Sequence, residues 1–212
     1  MLHLPGVPEL DKNTLVGGCV RLRTRADAGA LRSELDALPA QLWGTRGGRV
    51  GVHMVAESIF LRGHAPAEGE LPIEDRPALA RMPLTRALIH DQLPGQVMRC
   101  LLAKLPAGAR IAAHIDRAPY FHQTIRLHVP IATNSEVAML CDRHVYRMRP
   151  GEIWALNNVA VHGVWNRHAS ESRTHLICDF VPDERLLALL AGAERGLGTV
   201  DSVIEAAIAA PT

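Results

Sequence analysis

Residues 97–131 read VMRCLLAKLPAGARIAAHIDRAPYFHQTIRLHVPI, and residues 136–181 read EVAMLCDRHVYRMRPGEIWALNNVAVHGVWNRHASESRTHLICDFV. Apolar and β-branched runs recur here at 97–105, 110–115, 124–131, 136–141, 144–148, 152–156, 161–165 and 174–181. Each is followed within three residues by Gly, Pro, Asn or Asp. Runs of this length at this spacing predict eight strands in a mainly β fold, a jelly roll or similar sandwich.

Working outward, Val20 and Leu22 alternate with Arg21 and Arg23, which predicts a strand over 19–24. Asp27 then precedes Leu31, Leu35 and Leu38, a capped amphipathic helix that stops at Pro39. A loop at 46–49 leads to a strand over 50–61, and a short helix over 84–92 is closed by Leu93, Pro94 and Gly95. Between them, 63–77 holds Pro66, Gly69, Pro72 and Pro77 without periodicity, so it reads as a loop and a candidate lid over a binding site. Beyond 182, the leucines at 186–190 and then Val203, Ile204 and Ile208 predict two helices split by Gly196 and Gly198. The expectation is one domain over 1–212: an α/β part at 1–96, a core jelly roll at about 97–182, and helices at 183–212.

Composition narrows the function classes. Lys+Arg 23 against Asp+Glu 22 leaves +1, with no basic run, so no nucleic-acid surface is expected. Cys19, Cys100, Cys141 and Cys178 are scattered without a C-x-x-C pair and read as reduced core residues. The start has no basic and apolar leader and no run is long enough to span a membrane, so a soluble, cytoplasmic protein acting on a small molecule is expected. The oligomeric state is not legible. The unusual feature is 11 histidines, seven of them between His114 and His175.

His114 and Asp116 end a predicted strand, where residues two apart share a face. His162 opens a later strand. Two histidines and one carboxylate form the facial set that leaves three positions open on an Fe(II) ion.

The wording around these residues resembles a known family. The turn and strand from Leu105 to Asp116 are similar to the element that delivers H-x-D in the Fe(II)/2-oxoglutarate oxygenases. Arg149-Pro150-Gly151-Glu152, then Val161-His162-Gly163-Val164, then Arg173-Thr174-His175 resemble the second half of the aspartyl/asparaginyl β-hydroxylase branch, which includes bacterial free-proline hydroxylases. The resemblance implies a double-stranded β-helix (jelly roll, cupin-like) with flanking helices at both ends. It implies Fe(II), 2-oxoglutarate and O2 as the reacting set, with His114, Asp116 and His162 as iron ligands. It assigns Arg173, eleven positions after His162, to the distal carboxylate of 2-oxoglutarate, and it assigns the R-x-H pair Arg126 and His128 to holding the cosubstrate.

Asp116 is present where some aspartyl hydroxylases lack a carboxylate ligand, Asn157 and Asn158 stand where paired aspartates are frequent, and the spacer 117–125 is long. These departures favour a free amino acid or small carboxylate-bearing derivative over an Asp or Asn residue in a peptide or carrier-bound intermediate. Arg117 and His122, with Arg126, offer positive charge to such a substrate, and Tyr120 and Trp165 are further candidate contacts. Trp154 reads as core, and His3, His53, His64, His90, His144, His168 and His175 read as structural or solvated. The rivals from other classes are a non-catalytic cupin-like protein that binds metal or a small acid, and a metal-free β-sandwich interaction module. Arg173 argues against the first; convergence of the three ligands decides the second.

Overall fold

The computed structural model describes residues 1–44 and 55–210. The expected loop at 46–49, His53, and the first part of the expected strand over 50–61 lie outside the described residues. Ten strands are described: β1 (Cys19–Arg25), β2 (Glu57–Arg62), β3 (Gln96–Leu105), β4 (Arg110–His114), β5 (Ile125–Ala132), β6 (Val137–Cys141), β7 (His144–Tyr146), β8 (Glu152–Leu156), β9 (His162–Asn166) and β10 (Arg173–Val181). They form a six-stranded sheet in the order β1-β8-β5-β10-β3-β2 and a four-stranded sheet in the order β4-β9-β6-β7. Every named pairing is antiparallel, the mainly β jelly-roll architecture expected from the spacing of the runs.

Strand alternation sorts the side chains. On β5, Ile125, Leu127, Val129 and Ile131 enter the main core, as do Leu176, Cys178 and Phe180 of β10. Helix α2 (Ala28–Asp36) covers that face with Leu31 and Leu35, and its Asp27 cap accepts from Ala30 N at 3.0 Å. Burying each leucine contributes about 1.5–3 kcal/mol, and the cap about 1 kcal/mol. Helix α1 (Lys12–Leu15) precedes β1, and α3 (Pro83–Ala87) runs on into a π turn at Leu88–Gln92 that buries Leu88 and Ile89. Of the two C-terminal helices, α5 (Glu184–Ala191) adds Leu186 and Leu190 to the main core. The other, α6 (Ser202–Ala209), lays Ile204 and Ile208 against Ala138, Leu140 and Val145 of the smaller sheet. A Cβ at Gly163 would lie 2.5 Å from Ile208 Cγ2, so a glycine is what allows α6 to sit against β9.

With helices on the outer faces, the inner faces of the two sheets turn toward one another and line a cavity. The segment 117–124 is not wholly loop: Pro119 opens a five-residue helix, α4 (Pro119–Gln123), that sequence periodicity was too short to reveal. The four cysteines are free and buried. Among the described residues, no helix is long and apolar enough to cross a membrane.

Candidate active site

Strand pairing builds the first part of the site. His114 at the end of β4 is the register partner of His162 at the start of β9, and their rings lie 4.2 Å apart. β4 ends at His114, so Asp116 is placed by a separate device: its backbone N–H donates to Asn158 O at 3.0 Å. One ligand atom from each of His114, Asp116 and His162 lies within 4.8 Å of the others. His114 Nε2 is 3.9 Å from Asp116 Oδ1.

The histidine tautomers follow from the backbone. His114 Nδ1 donates to Ala112 O (2.9 Å) and His162 Nδ1 to Ala160 O (3.0 Å), because a carbonyl only accepts. In the neutral rings the lone pairs are then on the Nε2 atoms, oriented by the hydrogen bond at the other nitrogen as metal-ligating histidines are. Burial first, then the neighbouring His114, lowers His162 to about 3, which keeps it neutral at physiological pH. Burial would raise Asp116, but the Arg126 guanidinium and the two histidines hold it well below the usual carboxylate range.

Arg126 is bound to two acids. Its Nε and Nη2 fork onto Asp179 (2.8 and 3.0 Å), while Nη1 donates to Asp116 Oδ2 at 2.8 Å. The expectation from resemblance gave Arg126 to the cosubstrate; Arg126 does line the cavity, and in the structure three of its N–H donors bind Asp179 and Asp116. Asp179, on the same face of β10 as Arg173 and His175, went unnoticed in the sequence, although a period of two would have found it.

Arg173, first residue of β10, is 2% exposed and lines the same cavity. Its Nη2 donates to His175 Nδ1 at 2.7 Å, and His128 Nδ1 stands 3.5 Å from that atom. Among the described residues no carboxylate pairs with this guanidinium, and Arg173 Nε, His128 Nε2 and His175 Nε2 are buried without hydrogen-bond partners. Burial alone pulls Arg173 down to about 9, still charged at neutral pH; burial, with the Arg173 charge, holds both histidines far below their usual value, hence neutral. A buried guanidinium whose Nε–H and the neighbouring His175 Nε2–H are both without partners fits an incoming carboxylate. His175, read from sequence as structural or solvated, therefore belongs to this cluster.

Four expected substrate contacts fall elsewhere. Arg117 is exposed, His122 is half-buried on α4, Tyr120 is buried in a cluster with Phe121 and Met98, and Trp165 packs toward α6; none lines the cavity. Loop and short-helix positions carry no periodicity from which a facing direction could be read. The positive charge expected from Arg117 and His122 is thus absent from the cavity wall.

Residues 66–68 of the 63–77 segment do line the cavity. The segment is held by Arg99, almost fully buried on β3, whose Nη1 donates to His64 O and Pro66 O (3.1 and 2.7 Å) and Nη2 to Gly69 O and Leu71 O (2.6 and 3.1 Å). A Cβ at Gly63 would meet Arg99 Cγ at 2.9 Å, and φ there is +74°, so glycine fits twice over.

Comparison with known proteins agrees with this geometry. No curated protein matches the chain. Among solved structures, an oxidoreductase of the 2OG-Fe(II) oxygenase family from Burkholderia pseudomallei is similar at TM-score 0.52 and 13% identity, covering 77% of this chain and 85% of that one. The non-heme alpha ketoglutarate dependent epimerase SnoN from nogalamycin biosynthesis is similar at TM-score 0.50 and 13% identity, covering 78% of each chain. At such identity these two speak for the fold. The sequence profile described as aspartyl/asparaginyl beta-hydroxylase matches residues 62–182, more than half of the length and all of β3 to β10, with β1 and all but the last residue of β2 outside it. The chain belongs to the aspartyl/asparaginyl β-hydroxylase family of 2-oxoglutarate-dependent oxygenases.

Proposed function

We propose that His114, Asp116 and His162 hold one Fe(II), that Arg173 receives the distal carboxylate of 2-oxoglutarate, and that the enzyme hydroxylates a small amino-acid-type molecule. The observation that carries this reading is the convergence of the three ligand atoms in one cavity with the buried guanidinium of Arg173. Bound iron with 2-oxoglutarate and O2 supplies an oxidant able to hydroxylate an unactivated carbon, leaving succinate and CO2.

The chain supplies placement. Backbone carbonyls of Ala112 and Ala160 fix the two imidazoles, and Arg126 keeps Asp116 ionised in a buried setting. Phe60, Leu101, Met139 and Val164 line the cavity with apolar surface, which limits water near the reacting atoms. The cover formed by 66–68 favours a small substrate over a peptide segment, which needs an open groove.

The test is succinate formation from 2-oxoglutarate against a panel of free amino acids and short Asp- or Asn-containing peptides. Turnover with free amino acids and its loss in His162→Ala are expected. Turnover with peptides alone would move the substrate reading to peptidyl Asp or Asn, and a His162→Ala enzyme with wild-type iron content and activity would remove the metal assignment.

A further inference from the structure

A lysine lies buried behind the metal-ligand set, outside the part of the chain matched by the family. Lys12, first residue of α1, is 2% exposed, and its Nζ donates to Asn158 Oδ1 at 2.6 Å. An ammonium has no acceptor, so the amide must turn its oxygen to Lys12 and its nitrogen away. That nitrogen donates to Asp116 Oδ2 at 3.0 Å. Arg126 Nη1 donates to the same oxygen, and the Asp116 backbone N–H donates to Asn158 O.

Oδ2 thus takes two side-chain donors, and Oδ1 is the oxygen 3.9 Å from His114 Nε2.

We propose that Lys12 is a positioning residue for the metal centre: by fixing the Asn158 amide it pins Oδ2 of Asp116 and so sets the orientation of this carboxylate relative to His114 and His162. The inference rests on the assignment of His114, Asp116 and His162 as ligands. It accounts for a lysine buried at the start of a four-residue helix and bonded to a partner 146 positions away.

The experiment is anaerobic titration of the apo full-length protein with Co(II), followed by its visible absorption, in wild type, Lys12→Met, Asn158→Ala, the double variant and His162→Ala. Methionine keeps the apolar stem and removes the donor. Partners behind a metal ligand typically change affinity 10- to 100-fold, so Lys12→Met and Asn158→Ala should each weaken Co(II) binding about ten-fold or more, with an altered absorption band. The double variant should be no weaker than Asn158→Ala alone, because the lysine acts through the amide. Unchanged Co(II) affinity in folded Lys12→Met, even with a lower Tm, would overturn the proposal and leave the lysine a structural role. If Lys12→Met does not fold, Asn158→Ala decides: wild-type Co(II) affinity there overturns the proposal equally. Failure of the underlying ligand assignment looks different, since wild type would then bind no Co(II), or His162→Ala would bind it as wild type does.

Discussion

Replacing Arg173 by lysine keeps the charge and removes the planar fork. Arg173 is enclosed at the head of β10, with Nη2 engaged by His175 at 2.7 Å and Nε without a partner. A dicarboxylate entering from the metal side meets a guanidinium that can offer two parallel charge-assisted hydrogen bonds, of which an ammonium retains one in comparable geometry. Losing one such bond costs about 1.5–3 kcal/mol, a loss of roughly 10- to 150-fold in apparent affinity for 2-oxoglutarate. The assay is succinate formation against 2-oxoglutarate concentration, with Co(II) titration of the apo protein in parallel. KM for 2-oxoglutarate should rise by that factor while Co(II) affinity stays within two-fold. An Arg173→Lys enzyme with unchanged 2-oxoglutarate dependence would refute the reasoning and place the distal carboxylate away from β10.

Arg99→Met removes four hydrogen bonds to the carbonyls of 64–71 while leaving the metal ligands untouched, so succinate should form in excess of hydroxylated product with Co(II) affinity preserved; tight coupling in this variant would show that 66–68 take no part in enclosing the substrate. His128 and His175 are buried and neutral, their values depressed in the folded protein, so the unfolded chain binds more protons below its ordinary histidine value of 6.5. Their contribution to stability is therefore intact above about pH 6.5 and is lost as pH falls, at about 1.4 kcal/mol per histidine per pH unit. Denaturant melts of the apo protein between pH 7 and 5 should show that decline, and it should be smaller in His128→Gln.

The β architecture was legible because residues 97–181 keep short alternating runs between turn residues, and all eight expected strands there are found within a few residues of their bounds. The clustering of His114 and His162 was legible for the same reason: both sit at strand ends. Alternation also placed Arg126 and His128 on the face opposite Ile125, Leu127 and Val129, but it could not say that Asp116 and Asp179 would take three donors of Arg126. That depends on pairing across strands, which period alone does not encode. Lys12 gave no signal, since a lysine at a helix start reads as solvated. Arg117, Tyr120 and His122 could not be oriented from sequence because 117–123 has no repeat from which a direction could be derived.

Fastening 64–71 to Arg99 has a consequence in time and entropy. Because the anchor is a side chain of β3, the rim of the cavity is ordered when the sheet is ordered, and its loss of conformational freedom falls on folding rather than on each binding event. A ligand then meets a wall that is already in place and gives up little affinity to ordering it. Binding affinity is then set by the contacts a ligand makes with this wall and not by the ordering of 64–71.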